Sequence, residues 1–389
     1  MKVDNTIVGS FRGFRNLGLF GILFCLIGCS GGQIDEPDAP GDEPQPSTEQ
    51  AIAFSAGLPE QQEITRSTPL EEELPVGEKT FKVWGFKNDA YTAGNYTSYQ
   101  TVFPGYTVNW GANTAATTTS NTHDWEYVGI NSQTIKYWDW SALAYRYFAV
   151  TKYEETKPAT LLAGTIYKEA FNTDSDPATD DEYQFSMLAD VSDVSALPFF
   201  SRMWFSTGNA VTYPGKQFGD PVVLEFIKPY ARVRVMFTFT EETVDRTNID
   251  AMSFKPAANT GIPQSGTVTV HYPLSGEKTR EYYSLADEGA RLTDITQDWY
   301  TSTDPSDAKK EKWYTVLPCE GQGAYTMTIS IFGQELSAAV PAEFMQWKPG
   351  FEYTYVFKAD IEGGLRLDNV WVGVTTMETK EEEYILYNW

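Results

Sequence analysis

Three groups of residues in this sequence stand where they could do chemistry. The first is Cys29, which closes Leu26-Ile27-Gly28-Cys29 at the end of the apolar run from Leu17 to Ile27. Small residues ahead of a cysteine admit a signal peptidase, and the thiol can then take a diacylglyceryl group. Lys2, Arg12 and Arg15 precede the run, which completes the layout of a secretion signal over residues 1–28. The run is too short to span a bilayer. The alternative is an ordinary cleaved signal with a chance cysteine, as Cys25 is. The second group is the acidic loop Asp174-Ser175-Asp176-Pro177 with Asp180, Asp181 and Glu182. Its oxygens suit calcium, but it lacks the glycine and terminal glutamate spacing of a calcium loop, so it reads as a solvated loop and no metal is expected. The third is Trp138-Asp139-Trp140, the densest aromatic cluster in a chain with 11 Trp and 23 Tyr. Such rings stack on sugars, although in a chain of strands most of them belong to the core.

Other chemistries lack raw material. The chain has two histidines, His123 and His271, too few for a His-rich metal site and a thin basis for a His-based triad. His271 falls on the polar side of the alternating run Thr267 to Tyr272 and reads as a surface strand residue. No HExxH, GxSxG, phosphate-binding glycine loop or paired CxxC occurs. A carboxylate pair for glycoside hydrolysis stays open among 53 acidic residues, because its separation belongs to the fold. Cys319 reads as a small buried apolar residue after Trp313 to Pro318. With Cys25 removed and Cys29 acylated it has no disulfide partner. No catalytic residue and no cofactor is assigned, and an enzyme is not the expectation. The formal charge is −24, and residues 1–28 carry Lys2, Arg12, Arg15 and Asp4, a net +2, so the processed chain stands at −24 − 2 = −26. Nucleic acid and anionic membrane surfaces are poor partners for that charge, and only the acyl chains would hold the protein to a membrane.

The elements that must position these residues follow from periodicity. Residues 29–50 carry Asp35, Glu36, Asp38, Asp42, Glu43 and Glu49 among Pro37, Pro40, Pro44 and Pro46, and read as an extended acidic tether. Beyond Gln50, runs rich in Val, Thr, Tyr, Phe and Trp alternate with clusters of Gly, Pro, Asn and Asp, the pattern of antiparallel strands. Val233, Val235, Phe237 and Phe239 oppose Arg232, Arg234 and Thr238. Phe351, Tyr353, Tyr355 and Phe357 oppose Glu352, Thr354 and Lys358. Tyr325, Met327, Ile329 and Ile331, and Val268, Val270 and Tyr272, repeat the pattern. No segment of similar length has a helical period, so the fold class is all-β with sandwich architecture. The 389 − 28 = 361 residues after the signal suit about two domains. The glycine- and proline-rich stretch Ser206 to Asp220 places their break, giving 51–215 and 216–389.

The order of these features resembles the fimbrillin-like proteins of the Bacteroides group, and the acidic tether resembles the surface-export signal of lipoproteins there. The residues that carry the resemblance are the Cys29 motif and tether, Ala51-Ile52-Ala53-Phe54-Ser55-Ala56, Ile64-Thr65-Arg66, Phe81 to Phe86, Ile135 to Ala142, Leu224-Glu225-Phe226 with Ala231 to Val235, and Tyr387-Asn388-Trp389. The resemblance implies two β-sandwich domains of transthyretin-like topology and a subunit of a surface fimbria on the outer membrane. It also implies assembly by strand donation once an arginine-specific protease removes the first strand. Such a cut falls between Arg66 and Ser67, in a polar stretch, with Pro69 too far on to block it; the alternative is an uncut loop with the strand in place. The excised strand is Ala51 to Gly57, with Ile52 and Phe54 on one face. Ile385, Tyr387 and Trp389 form the apolar face of a donor candidate; the alternative is a last strand folded into its own domain. Implied partners are other fimbrial subunits, a host or bacterial surface receptor, and the outer membrane through the lipid. The rival reading is a surface glycan-binding lipoprotein that exposes Trp138 and Trp140.

Overall fold

A computed structural model describes residues 50–57, 79–111, 125–128, 133–160, 163–172, 181–209, 211–258, 261–286, 288–296, 313–319 and 323–374. Strands form where period-two alternation is cleanest. Numbered in chain order, β12 (Ala231–Phe239) lies between β19 (Tyr314–Val316) and β22 (Phe351–Asp360), and β22 continues to β23 (Gly364–Val374). A second four-stranded sheet runs β18 (Ile295–Thr296), β13 (Ile249–Pro256), β20 (Tyr325–Ile331) and β21 (Gln334–Val340). The alternate apolar residues of these strands share one core. Val233 pairs Tyr353, Val235 pairs Tyr355 and Phe237 pairs Phe357, while Phe254 of the other sheet lies 5.2 Å from the Tyr355 ring. Trp347 Nε1 donates to Tyr355 Oη at 2.9 Å, and that hydroxyl donates to the Phe344 carbonyl at 2.6 Å, so the buried polar ends of the core are satisfied. Cys319 is buried here and bridges to Trp347 through its backbone, as a small apolar residue should. The polar side of β22 is buried as well. Glu352 accepts from Arg232 at 2.9 Å, Arg234 donates to Thr354 at 3.1 Å, and Trp313 covers both guanidinium groups. Burial pushes the Glu352 carboxyl up, against the pull of the two arginines.

The first half is built differently. Its eight-stranded sheet runs β10 (Trp204–Ser206), β5 (Ala144–Val150), β2 (Thr80–Thr92), β3 (Asn95–Trp110), β4 (Trp125–Glu126), β1 (Phe54–Gly57), β11 (Val222–Ile227) and β9 (Phe200–Ser201). Val150 of β5 pairs Phe200 of β9, which closes the sheet on itself like a barrel. A five-stranded sheet covers one side, in the order β16 (Tyr282–Ala286), β15 (Ser265–Pro273), β8 (Glu182–Asp190), β7 (Ile166–Asn172) and β6 (Tyr153–Glu154). A short pair joins β14 (Ile262–Pro263) to β17 (Arg291–Leu292).

Strands β2 and β5 therefore bury both faces, and their sequences show it. Phe81, Val83, Tyr145, Tyr147 and Ala149 point into the closed sheet, and Trp84, Phe86, Phe148 and Val150 meet Phe185, Met187, Val268, Val270 and Tyr272 of the covering sheet. The Phe148 and Tyr272 rings stack at 4.2 Å. On the inner face Gly85 of β2 lies against Tyr147 and Phe103, where a Cβ would come within 2.6 Å of the Tyr147 ring and 2.9 Å of the Phe103 ring.

The all-β sandwich expectation holds, and the details depart from it in two ways. The pairing is not uniformly antiparallel: β1–β11, β12–β22 and β6–β7 are parallel. Strand partnership also runs across the 215/216 boundary, since β11 completes the first sheet and β15 extends β8 over nine residue pairs from Ser265↔Asp190 to Pro273↔Glu182. Residues 48–389 form one compact unit. Because Phe254 is fully buried between Tyr325, Tyr355 and Phe357, Phe254→Ala is expected to lower the stability of the second half by about 3–5 kcal/mol, read as a lower urea midpoint.

Candidate functional site: the slot of the first strand

Strand β1 is short and carries few polar groups, yet it sits inside the eight-stranded sheet, between β4 and β11. Alternation decides how. Ile52, Phe54 and Ala56 point into the closed sheet and belong to its core, while Ser55 is only half-buried. Both Ile52 and Phe54 are 0% exposed. The Phe54 ring meets three others edge-on, Phe103 at 5.1 Å, Tyr127 at 5.8 Å and Tyr147 at 5.9 Å. Each such pair adds about 0.5–1.5 kcal/mol beyond area burial.

The backbone is held on both sides. Register to β11 is Phe54↔Val222 through Gly57↔Glu225 in parallel, and Phe54 also faces Trp125 of β4. Ahead of the strand, Ile52 N–H donates to Lys136 at 2.8 Å, Trp138 N–H donates to the Gln50 carbonyl at 3.0 Å, and Val222 N–H donates to the Ala53 carbonyl at 2.8 Å. Tyr127 Oη donates to the Ile52 carbonyl at 2.8 Å, and burial pushes that phenol up, so it stays a donor. Gln50 Nε2 reaches the Gly219 carbonyl at 2.5 Å.

The segment Lys136 to Ser141 forms one wall of this arrangement. Asp139 anchors it: its carboxylate takes Lys87 Nζ at 2.5 Å and Ser141 N–H at 2.9 Å, and its backbone N–H donates to Tyr145 Oη at 2.7 Å. The Lys87 contact, with help from Ser141, holds the Asp139 carboxyl down at about 2. Trp138 and Trp140 both lie near Phe218 but differ in exposure. Trp138 is 4% exposed and packs on Tyr145, Trp204 and Phe218, whereas Trp140 is 54% exposed. The shallow face with both indoles outward, on which the glycan-binding reading relied, is not formed. Trp138 is consumed by the core next to the slot.

Of the residues singled out from sequence, Ala51 to Gly57 form the slot's occupant with Ile52 and Phe54 on one face. Cys29, Arg66, Ser67, Ile385, Tyr387 and Trp389 lie outside the described residues, as do His123 and most of the acidic loop at Asp174. Among the described residues no cluster of three or more His, Cys, Asp and Glu could hold a metal ion, and no helix is long and apolar enough to cross a membrane. His271 differs from its expected surface role. Its side chain is 13% exposed and bonded at both ring nitrogens, to Glu182 and Ser284 at 2.9 Å each. The polar face of an alternating run shows that a residue avoids the core, and says nothing of what covers it.

No protein-family model matches the sequence, and no curated protein matches it as a relative. In structure the chain is similar to fimbrial proteins of the Bacteroides group. A fimbrial protein from Bacteroides vulgatus is 10% identical, with 82% of this chain and 98% of that one covered at a TM-score of 0.39. A fimbrial assembly protein from Parabacteroides distasonis is 10% identical, covering 83% and 96% at 0.31. The fimbrial anchor protein Mfa2 from Porphyromonas gingivalis is 11% identical, covering 83% and 97% at 0.25. At such scores the likeness decides nothing about mechanism, which must come from the slot itself.

Proposed function

We propose that this chain is a structural and adhesive subunit of a surface fimbria, lipidated at Cys29, held at the outer membrane and polymerised through the β1 slot. The observation that supports this reading most is that the first strand is an interior stave of a closed sheet. Taking it out would leave β4 and β11 as two unpaired edges and would empty the Phe103–Tyr127–Tyr147 cage. An extended peptide with alternating apolar residues repairs both defects at once. On this reading the bond between Arg66 and Ser67 is the processing site. The Ile385, Tyr387 and Trp389 face of a neighbouring subunit is the replacement, with an aromatic side chain in the Phe54 position. The partners are other subunits and a host or bacterial surface receptor. No step of the assembly needs catalysis by the chain itself.

Limited digestion of the compact unit from Thr48 onward with a trypsin-like protease should remove the segment through Arg66. Intact mass reads the cut, and size analysis should show SDS-resistant oligomers growing. Arg66→Gln should abolish both. Cleavage with the protein still monomeric would sink the strand-donation reading. Trp138 and Trp140 separate this function from glycan binding. Trp138→Ala is expected to cost about 3–5 kcal/mol of stability. Trp140→Ala should stay within about 0.5 kcal/mol. If Trp140→Ala alone abolished binding to a glycan array, the rival would stand.

A further inference from the structure

The outer face of the five-stranded sheet carries a second arrangement, independent of the slot. Register creates it. His271 on β15 lies opposite Gln184 on β8 and opposite Tyr282 on β16. Glu182 and Ser284 stand two residues along from those partners, so both fall on the same face as His271, at the diagonal positions that long side chains reach. Glu182 Oε1 is 2.9 Å from His271 Nδ1, and His271 Nε2 is 2.9 Å from Ser284 Oγ. The sequence order of carboxylate, imidazole and hydroxyl hides a spatial relay, since 89 residues separate Glu182 from His271.

Each member is set for a distinct role. Glu182 is buried, and its carboxylate also takes Gln184 Nε2 at 2.6 Å and the Tyr282 hydroxyl. Burial alone would raise its pKa, but the hydrogen bonds from Tyr282, His271 and Gln184 outweigh burial and hold it below the usual carboxylate range. A carboxylate beside Nδ1 accepts a hydrogen bond from Nδ1–H, which keeps the proton on that nitrogen and leaves the Nε2 lone pair facing the serine hydroxyl. The His271 ring stacks flat on Tyr282 at 4.5 Å and 8°, which fixes its plane. Ser284 is exposed, on a strand that ends its sheet among the described residues.

We propose that Ser284, His271 and Glu182 act as nucleophile, base and orienting carboxylate in acyl transfer from small carboxylic esters. Ser284 Oγ attacks the ester carbon while its proton passes to His271 Nε2. The ester C–O bond then breaks, and the imidazolium returns the proton to the departing alkoxide. Water, deprotonated by the same nitrogen, attacks the acyl-serine and restores the hydroxyl. Glu182 stays ionised throughout and stabilises the imidazolium. An edge strand turns alternate N–H groups outward, the kind of donor a developing oxyanion needs.

The intact chain, incubated with a fluorophosphonate probe, should gain one label that peptide mass mapping places on Ser284. It should also release p-nitrophenol from p-nitrophenyl acetate. Ser284→Ala, at an exposed position, should keep the circular dichroism spectrum and lose both signals. His271→Gln should slow labelling at least ~100-fold, the contribution of a general base. Labelling absent, placed elsewhere, or unchanged in a folded His271→Gln variant overturns the proposal and leaves a cross-strand hydrogen-bond ladder. Should His271→Gln unfold, the pair of wild type and Ser284→Ala decides alone.

Discussion

A strand placed inside a sheet must satisfy its peptide groups on both sides, and the first half of this protein is arranged around meeting that demand at β1. The strand itself makes four residue pairs to β11 and one to β4. Its upstream residues are tied down by a bond to the Lys136 carbonyl and by bonds from Trp138 and Val222, all in distant parts of the chain. Side chains reinforce the same geometry: Tyr127 supplies both an aromatic face to Phe54 and a hydroxyl to the Ile52 carbonyl. Backbone pairing and the aromatic cage thus depend on one another, because neither the ring nor the carbonyl would be in reach if the strand shifted by a residue.

This local demand is connected to the rest of the molecule through strands with two buried faces. Tyr147 belongs to the Phe54 cage, and its neighbour Phe148 stacks on Tyr272 in the covering sheet. Rigid β5 therefore transmits the position of the slot to β15, and β15 is contributed by a segment that follows β13 of the second sandwich. The chain leaves the first half, builds part of the second, and returns to cover the first. Closely packed interiors tolerate little displacement, so the slot is framed by residues from Gln50 to Tyr272.

Much of this was legible. The apolar faces of β12, β15, β20 and β22 follow from alternation, as does the common face of Ile52 and Phe54. Alternation reports which side of a strand is apolar and is silent about its partner, so three parallel pairings and the β8–β15 pairing across residue 215 were not readable. For the same reason Trp138 and Trp140 looked alike: residues two apart share a side under alternation, and only the fold shows that Tyr145, Trp204 and Phe218 cover Trp138 while Trp140 stays exposed. Glu352 and Thr354 do lie on the polar side of β22 as alternation has it, and composition is silent on their burial against Arg232 and Arg234. His271 was misread similarly: its partners are near only in the folded register.

The way β1 is held also bears on what removing it requires. Burying Ile52 and Phe54 is worth roughly 1.5–3 kcal/mol each, and the edge-on ring pairs add to that. A cut in the connection beyond Gly57 breaks none of these contacts. It turns an intramolecular strand into a bound peptide, which leaves at a rate set by its remaining pairing and burial. Only four of those pairs are to β11, in the parallel arrangement that is slightly weaker per residue. A longer competitor that pairs with both exposed edges and places an aromatic ring among Phe103, Tyr127 and Tyr147 would hold more tightly than the original. On the proposed assembly, cleavage would make exchange possible, and the length and side-chain pattern of the competitor would decide its direction.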